Sequence, residues 1–332
     1  MSSEPARYVF GPVPSRRLGR SLGIDPIPLK TCNWNCVYCQ LGRTRPFVTC
    51  RGRYSSPDVL LREVEVALNR WGDDDIDWIT FVGSGEPLLH REFGSLLSGV
   101  KQLTRIPVAV LTNGALLRLP EVRAEMLTAD AVLPSVDAGS PELYRRINRP
   151  HPSLDFEGFI EGLVSFRDEF SGRLWVEVML IEGLNDDPAA LADLARVLDR
   201  IRPDAVHVNA PVRPPAEVWV RPPSAERLAE AVALFGRAAG AVPPQMETET
   251  VSASSPGELG FELADRIAAV ITRHPLAEAD LALLFGDKTA DEIRIALDTL
   301  VSQGRAQPVT RFGVRFYGPG GTHYAAVPRR YS

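Results

Sequence analysis

Apolar positions along this chain alternate between helical spacing and short continuous runs. Leu60, Val64, Leu68 and Trp71 recur at helical intervals, Pro57 suits a first helical position and Ser56 a cap, so a helix is predicted over 57–71. Asp77 to Val82 then reads as a buried strand. A second helix is predicted over about 91–104, with Phe93, Leu96, Leu97, Val100 and Leu103 on one face. A strand over 107–111 follows, turning at Thr112-Asn113-Gly114. Further strands are predicted at 131–136, 174–181 and 205–209, with helical segments around 140–147, 155–168, 187–200 and 224–239. Alternation at this density implies parallel βαβ units, about six of them. Parallel barrels and half-barrels carry their chemistry at the carboxyl ends of the strands, and every candidate residue below lies at such an end.

The pattern breaks over 241–258, a run rich in Pro, Ser, Thr and Glu that reads as a linker. Three helical segments follow at about 259–273, 277–285 and 289–303. A hairpin predicted over 307–317, turning near Phe312-Gly313, completes a winged-helix pattern. The expected fold class is therefore α/β: a partial (β/α)6 TIM-like barrel over 1–240 and a small C-terminal winged-helix domain over 259–332. Composition adds little, with 45% apolar and 24% charged residues in 332, as in globular proteins. A net charge of −5 supplies no global basic field for nucleic acid or anionic lipid. No apolar run approaches the length of a membrane span, and the N-terminus has no apolar segment of a secretory signal, so no membrane association is expected.

Candidate chemistry concentrates in Thr31-Cys32-Asn33-Trp34-Asn35-Cys36-Val37-Tyr38-Cys39-Gln40. The cysteine spacing is C-x3-C-x2-C, with an aromatic before the last. Three close thiolates suit three irons of a cubane cluster. The fourth iron is then open for chemistry, as the open position is in a zinc enzyme. A structural zinc site is the competing reading, but it normally takes four ligands as two paired half-sites. Only Cys50 is left over, and as a fourth ligand it would close the open iron, so a small buried or loop residue is expected there. The odd remainder argues against a disulfide framework and for reduced, cytoplasmic surroundings.

On these cysteines the chain resembles the radical S-adenosylmethionine (radical SAM) superfamily over roughly residues 8–240. The resemblance implies that Cys32, Cys36 and Cys39 bind a 4Fe-4S cluster whose open iron chelates the amino and carboxylate groups of S-adenosyl-L-methionine (SAM). One electron from the cluster then cleaves the sulfonium C–S bond, and the 5′-deoxyadenosyl radical abstracts a hydrogen atom from a substrate. Gly83-Ser84-Gly85-Glu86-Pro87, directly after the Ile79–Val82 strand, resembles the family's GGEP motif, with Ser84 replacing its second glycine. Gly83, Ser84, Gly85 and Glu86 are thereby implied at the SAM amino group. On the residues alone, glycines let a backbone approach a ligand, and the competing reading is a βα turn with a solvated glutamate. Asn113, with donor and acceptor, and Asp137 are expected SAM or substrate contacts, against an Asn-Gly turn former and a helix N-cap. Tyr38 is expected beside the adenine. Met179 and Ile181 line the same pocket or pack in the core.

Phe10 to Asp25, Asn148-Arg149-Pro150-His151-Pro152 and Asn209-Ala210-Pro211-Val212-Arg213-Pro214-Pro215 resemble a narrower group. It comprises the iron–sulfur oxidoreductases related to the tRNA wyosine-base synthases. Arg16, Arg17, Lys30, Arg149 and Arg213 are expected as an anion-binding rim at the mouth, with Asn209 among the substrate contacts. Surface arginines paired locally are the alternative. Wyosine synthases that add a two-carbon unit carry a second cluster on extra cysteines, which one spare cysteine does not supply. From Val251 onward nine Arg and Lys meet nine Asp and Glu, and Asp291, Glu292 and Asp298 outnumber Arg294 on the would-be recognition helix. Duplex DNA is therefore not expected, and the domain reads as a packing or protein-binding module. The expectation is a radical SAM enzyme, an oxidoreductase reduced by a flavodoxin or ferredoxin and acting on a tRNA base, a small molecule or a protein. An iron–sulfur redox sensor controlling the winged helix, without SAM turnover, is the alternative of another class.

Overall fold

The computed structural model describes residues 8–236, 238–242 and 263–322. It opens with two strands that the periodicity does not announce, β1 (Val9–Ser15) and β2 (Gly19–Ile24). Then come α1 (Pro57–Arg70), β3 (Trp78–Phe81), α2 (Phe93–Leu103), β4 (Val108–Thr112), α3 (Pro120–Met126) and β5 (Ala131–Pro134). The series continues through α4 (Pro141–Ile147), α5 (Phe156–Glu169), β6 (Arg173–Met179), α6 (Pro188–Ile201), β7 (Ala205–Asn209), α7 (Ala225–Leu234) and β8 (Ala239–Ala241). These strands form one 8-stranded sheet in sequential order, β1 to β8. β1 pairs antiparallel with β2, and every later neighbour is parallel. The architecture is thus an α/β fold on a mostly parallel sheet.

Side-chain alternation sorts the sheet into two faces. Ile79, Phe81, Val108, Val110, Val132, Leu174, Val176, Val178, Val206 and Val208 join one large core with the apolar faces of the helices. The opposite, helix-free face carries Trp78, Leu111 and Trp175 around a small cluster of Leu18, Ala109, Ala131 and Leu133. By the same alternation Thr80, Glu177 and His207 stand on this face. Caps place the helices: Asp187 accepts from Ala189 and Ala190 at the start of α6, and Ser140 from Leu143 at α4. Ser56 occupies the N-cap position of α1 but makes no side-chain capping bond there, so Pro57 is the start signal that operates. The predicted helix over 224–239 stops early, because Gly236 takes a φ of +88° and the chain turns into β8.

The C-terminal part comprises α8 (Leu263–Ile271), β9 (Leu276–Ala277), α9 (Glu278–Leu284), α10 (Ala290–Ser302), β10 (Ala306–Arg311) and β11 (Val314–Pro319). Its strands form a second sheet ordered β10-β11-β9, over a core of its own that includes Ile267, Ile271, Leu281, Leu297 and Tyr317. The β10–β11 turn falls at Phe312 and Gly313, both at positive φ as a two-residue hairpin turn requires. The expected linker over 241–258 lies outside the described residues from 243 onward, as do residues 259–262 of the first predicted C-terminal helix. Arg273 joins the two parts. Its Nε donates to Asp25 Oδ2 at 2.9 Å, both side chains are buried, and its guanidinium lies 4.6 Å from the Phe10 ring centre. Among the described residues no helix is long and apolar enough to cross a membrane.

Candidate functional site

The cysteines lie on the loop between β2 and α1, over the carboxyl ends of the strands. Trp34 anchors that loop. It is fully buried, edge-on to Tyr144 and Phe159 at 5.3 and 5.4 Å. Backbone bonds fix the rest: Asn35 N donates to Asn148 O at 3.0 Å and Val37 N to Ile147 O at 2.9 Å. Each of the three sulfurs meets an N–H donor. Lys30 Nζ is 3.0 Å from Cys39 Sγ, and Trp34 N is 3.4 Å from Cys32 Sγ. Asn113 and Asn148 aim their amides at Cys32 and Cys36, each at 3.8 Å. Such donors favour a metal-bound thiolate over a free thiol. Burial, followed by Glu86, pushes the free Cys32 thiol up to about 12, and burial pushes Cys36 well above its ordinary value. Loading soft metal on these thiols therefore releases protons. Among the described residues no three His, Cys, Asp or Glu side chains close around a single metal ion. A cubane gives each thiolate its own iron and needs no such closure. Asn33 Nδ2, within the loop and buried without a partner among the described residues, is a further donor for a bound group.

The loop Gly83–Glu86 docks directly onto the cysteine loop. Lys30 N donates to Ser84 O at 2.6 Å and Glu86 N to Thr31 O at 2.9 Å. A Cβ at Gly85 would overlap the Thr31 carbonyl oxygen, so the close approach explains the glycine. Ser84 is fixed by Asp25, which accepts its hydroxyl at 2.6 Å and its N–H at 3.1 Å. Glu86 is not a solvated turn residue. Its buried carboxylate accepts from Thr112 Oγ1 at 2.6 Å, Asn113 N at 2.7 Å and Leu88 N at 3.0 Å. Burial pushes that carboxyl up to about 7 despite these bonds. Glu86 thus ties the end of β4 to the glycine loop, and Asn113 extends the tie by donating to Asn33 Oδ1 at 2.6 Å.

Asp137 is a second buried node. Tyr38 Oη and Asn148 Nδ2 each donate to it at 2.6 Å, and Met179 N at 2.8 Å. The helix-cap reading fails because Ser140 caps α4. Tyr38 is held by Asp137 through its hydroxyl, so both positions are fixed by each other before any ligand is considered.

The expected arginine rim divides. Arg16, Arg17 and Arg213 line one cavity of about 100 Å³, together with His274 of the C-terminal part. Arg17 pairs with Glu177. Arg149 instead donates to Glu217 at 2.6 Å, alongside Arg43 at 3.3 Å, and Lys30 turns to Cys39. Both departures reflect nearby groups of opposite or polarisable character that spacing does not reveal. Asn209 ends β7, with its Oδ1 buried and without a partner. Cys50 is exposed in the loop before α1, the loop position expected for it. Lys30, Asn33, Asn148 and Asp25 are the contributors that residue reading assigned no role beside the cysteines or the glycine loop. Their signal was at most a polar residue that burial makes meaningful.

His207 shares the helix-free face with Arg17. Burial, then the Arg17 charge, holds its imidazole down to about 4. Its unfolded value is about 6.5, so the folded state binds fewer protons between the two. The stability it contributes is whole above about pH 6.5 and is lost as pH falls towards about 4. Denaturant unfolding at about pH 7 and 5 checks this: with the shift discounted for a partly exposed ring, His207→Gln should lose about 1 kcal/mol less than wild type across that interval. Equal losses would show that His207 is not the group responsible.

The family model of the radical SAM superfamily matches residues 27–195. The chain belongs to this superfamily. Membership makes it an enzyme that uses SAM and an iron–sulfur cluster. The radical SAM chain is 32% identical to the UPF0026 protein of Methanocaldococcus jannaschii, over 93% of its own length and 94% of that protein's. It is 36% identical to a Brachyspira hyodysenteriae protein named GTPase Obg, over 94% of its own length but only 45% of that longer chain. Among solved structures it resembles a radical SAM methyltransferase from Sphaerobacter thermophilus, with a TM-score of 0.51, 18% identity, and coverage of 67% of this chain and 66% of that one. At that identity the likeness concerns the fold alone.

Proposed function

We propose that Cys32, Cys36 and Cys39 hold a 4Fe-4S cluster with one open iron, and that SAM binds there between Gly83–Glu86, Asn113 and the cysteine loop. The observation that carries this is the direct docking of the Ser84–Glu86 backbone on Lys30 and Thr31, which brings the two loops onto one rim. When bound, the cluster would supply one electron, received from a flavodoxin or ferredoxin, and SAM would supply the radical chemistry of hydrogen-atom abstraction from the substrate. The protein's own residues hold and exclude. Lys30 holds its ammonium 3.0 Å from Cys39 Sγ, where it would face a cluster-bound sulfur. Glu86 fixes the glycine loop rather than meeting SAM with both oxygens, and Gly83, Ser84 and Gly85 present backbone to the ligand. The Tyr38–Asp137 bond ties the cysteine loop to the segment after β5, and Met179 N at the end of β6 donates to the same carboxylate.

The C-terminal part, read as a winged-helix-like domain over 259–332 after a 241–258 linker, packs on the barrel through Arg273 and walls the arginine cavity. The tRNA-base reading has support from the wyosine-type segments alone, and the small cavity favours a smaller substrate. The test is anaerobic reconstitution with iron and sulfide, followed by SAM and dithionite. The expected product is 5′-deoxyadenosine. An intact cluster that yields none would replace this reading with that of an iron–sulfur sensor.

A further inference from the structure

The cavity lined by Arg16, Arg17, Arg213 and His274 lies between the sheet face that carries Thr80 and Leu111, free of the helices of the βα units, and the C-terminal helices. Guanidiniums are rarely enclosed without anionic partners, because an uncompensated buried charge is costly. Here the compensation is incomplete. Arg17 has Glu177, yet its Nε is buried without a partner. Arg213 donates Nη1 to a neutral amide, Gln40 Oε1, at 3.1 Å, and among the described residues no carboxylate comes within ion-pair distance of it. Burial, then Arg16 and Arg213, holds Arg17 down to about 9; burial, then Arg16, holds Arg213 down to about 10 against the opposing charge of Asp280, which makes no ion pair with it. Gln40 directly follows Cys39, so Arg213 contacts the residue next to the last cysteine of the loop.

We infer that this cavity is an oxyanion subsite: Arg213 and Arg17 take a phosphate or carboxylate group of the substrate, with the wall at His274 contributed by the C-terminal part. The inference rests on the reading of this chain as a radical SAM enzyme and names the chemistry of its substrate. A guanidinium fork matches either group in two parallel hydrogen bonds.

The test is calorimetric titration of the cluster-loaded full-length protein, without reductant, using pyrophosphate and malonate as separate probes. Wild type should bind at least one, and which one assigns phosphate or carboxylate. Arg213→Gln should weaken that binding roughly tenfold to a hundredfold, the range for a lost charge-assisted pair. Arg213→Lys, which keeps the charge and loses the fork, should fall between. Arg200→Gln, on α6 and paired outside the cavity with Glu161, should bind as wild type. Binding of neither probe, or equal binding by wild type and both Arg213 variants, overturns the subsite. The readout needs no turnover. Anion binding without 5′-deoxyadenosine formation would sink the enzymatic reading and keep the subsite, and the converse would do the reverse.

Discussion

Cys36→Ala should eliminate the visible absorbance of the reconstituted cluster and all 5′-deoxyadenosine formation, while the protein stays folded. The two halves of that expectation have separate causes. Cys36 Sγ meets the Asn148 amide at 3.8 Å and lies beside the Tyr38 hydroxyl, which Asp137 also holds, so its removal takes little from the packing. The loop is held instead by the buried Trp34 ring and by the backbone bonds of Asn35 and Val37 to Asn148 and Ile147. In the proposed cluster, loss of one thiolate of three would leave a second iron without a protein ligand. Cys50→Ala is the matched control, an exposed cysteine outside the triplet whose loss should leave spectrum and turnover unchanged. A Cys36→Ala protein with the wild-type spectrum would break the ligand assignment.

The parts of this molecule that could be read in advance are those whose signal is local. The cysteine triplet, the glycine loop and the apolar faces of α1 and α2 each occupy one stretch of chain. β1 escaped because Gly11, Pro12 and Pro14 look like loop, and an edge strand with a bulge between Phe10 and Val13 tolerates them. β8, with only Ala239, Gly240 and Ala241, has no hydrophobic pattern to read. Contacts that set the chemistry of the site are non-local. Tyr38 and Asp137 are 99 residues apart, and Asp25 and Arg273 are 248 apart. Glu86 was legible as a motif residue, but its burial under Thr112 and Leu88 was not, because a strand-end glutamate has the same sequence whether it faces water or a turn. The arginines show the same limit: five cations were candidates for one rim, and partners elsewhere in the fold decided which three share a cavity.

Gly85→Ala should cost about 2–4 kcal/mol of stability and lower 5′-deoxyadenosine formation by about a hundredfold or more. The stability figure combines overpacking, about 1–3 kcal/mol, with weakening of one backbone hydrogen bond, about 1 kcal/mol. The clash is with backbone, not with a side chain that can rotate away: besides the overlapped Thr31 oxygen, the Thr31 carbonyl carbon would lie 2.8 Å from the new Cβ and Ile27 Cγ2 2.9 Å. Relief therefore requires the glycine loop and the cysteine loop to separate, which stretches the 2.9 Å bond from Glu86 N to Thr31 O. Activity should fall further than stability because in the proposed site the two loops act on one SAM molecule, and a displacement of about 1 Å in such a site costs about a hundredfold. Gly240→Ala, where a Cβ meets nothing within 4 Å, should leave both quantities near wild type and so removes any general effect of the substitution. Chemical denaturation and a single-turnover assay on the cluster-loaded variants measure the two losses separately. Cluster absorbance should survive in Gly85→Ala, since the three thiols are untouched; wild-type turnover there would mean that the docking of these loops does not hold the reacting geometry.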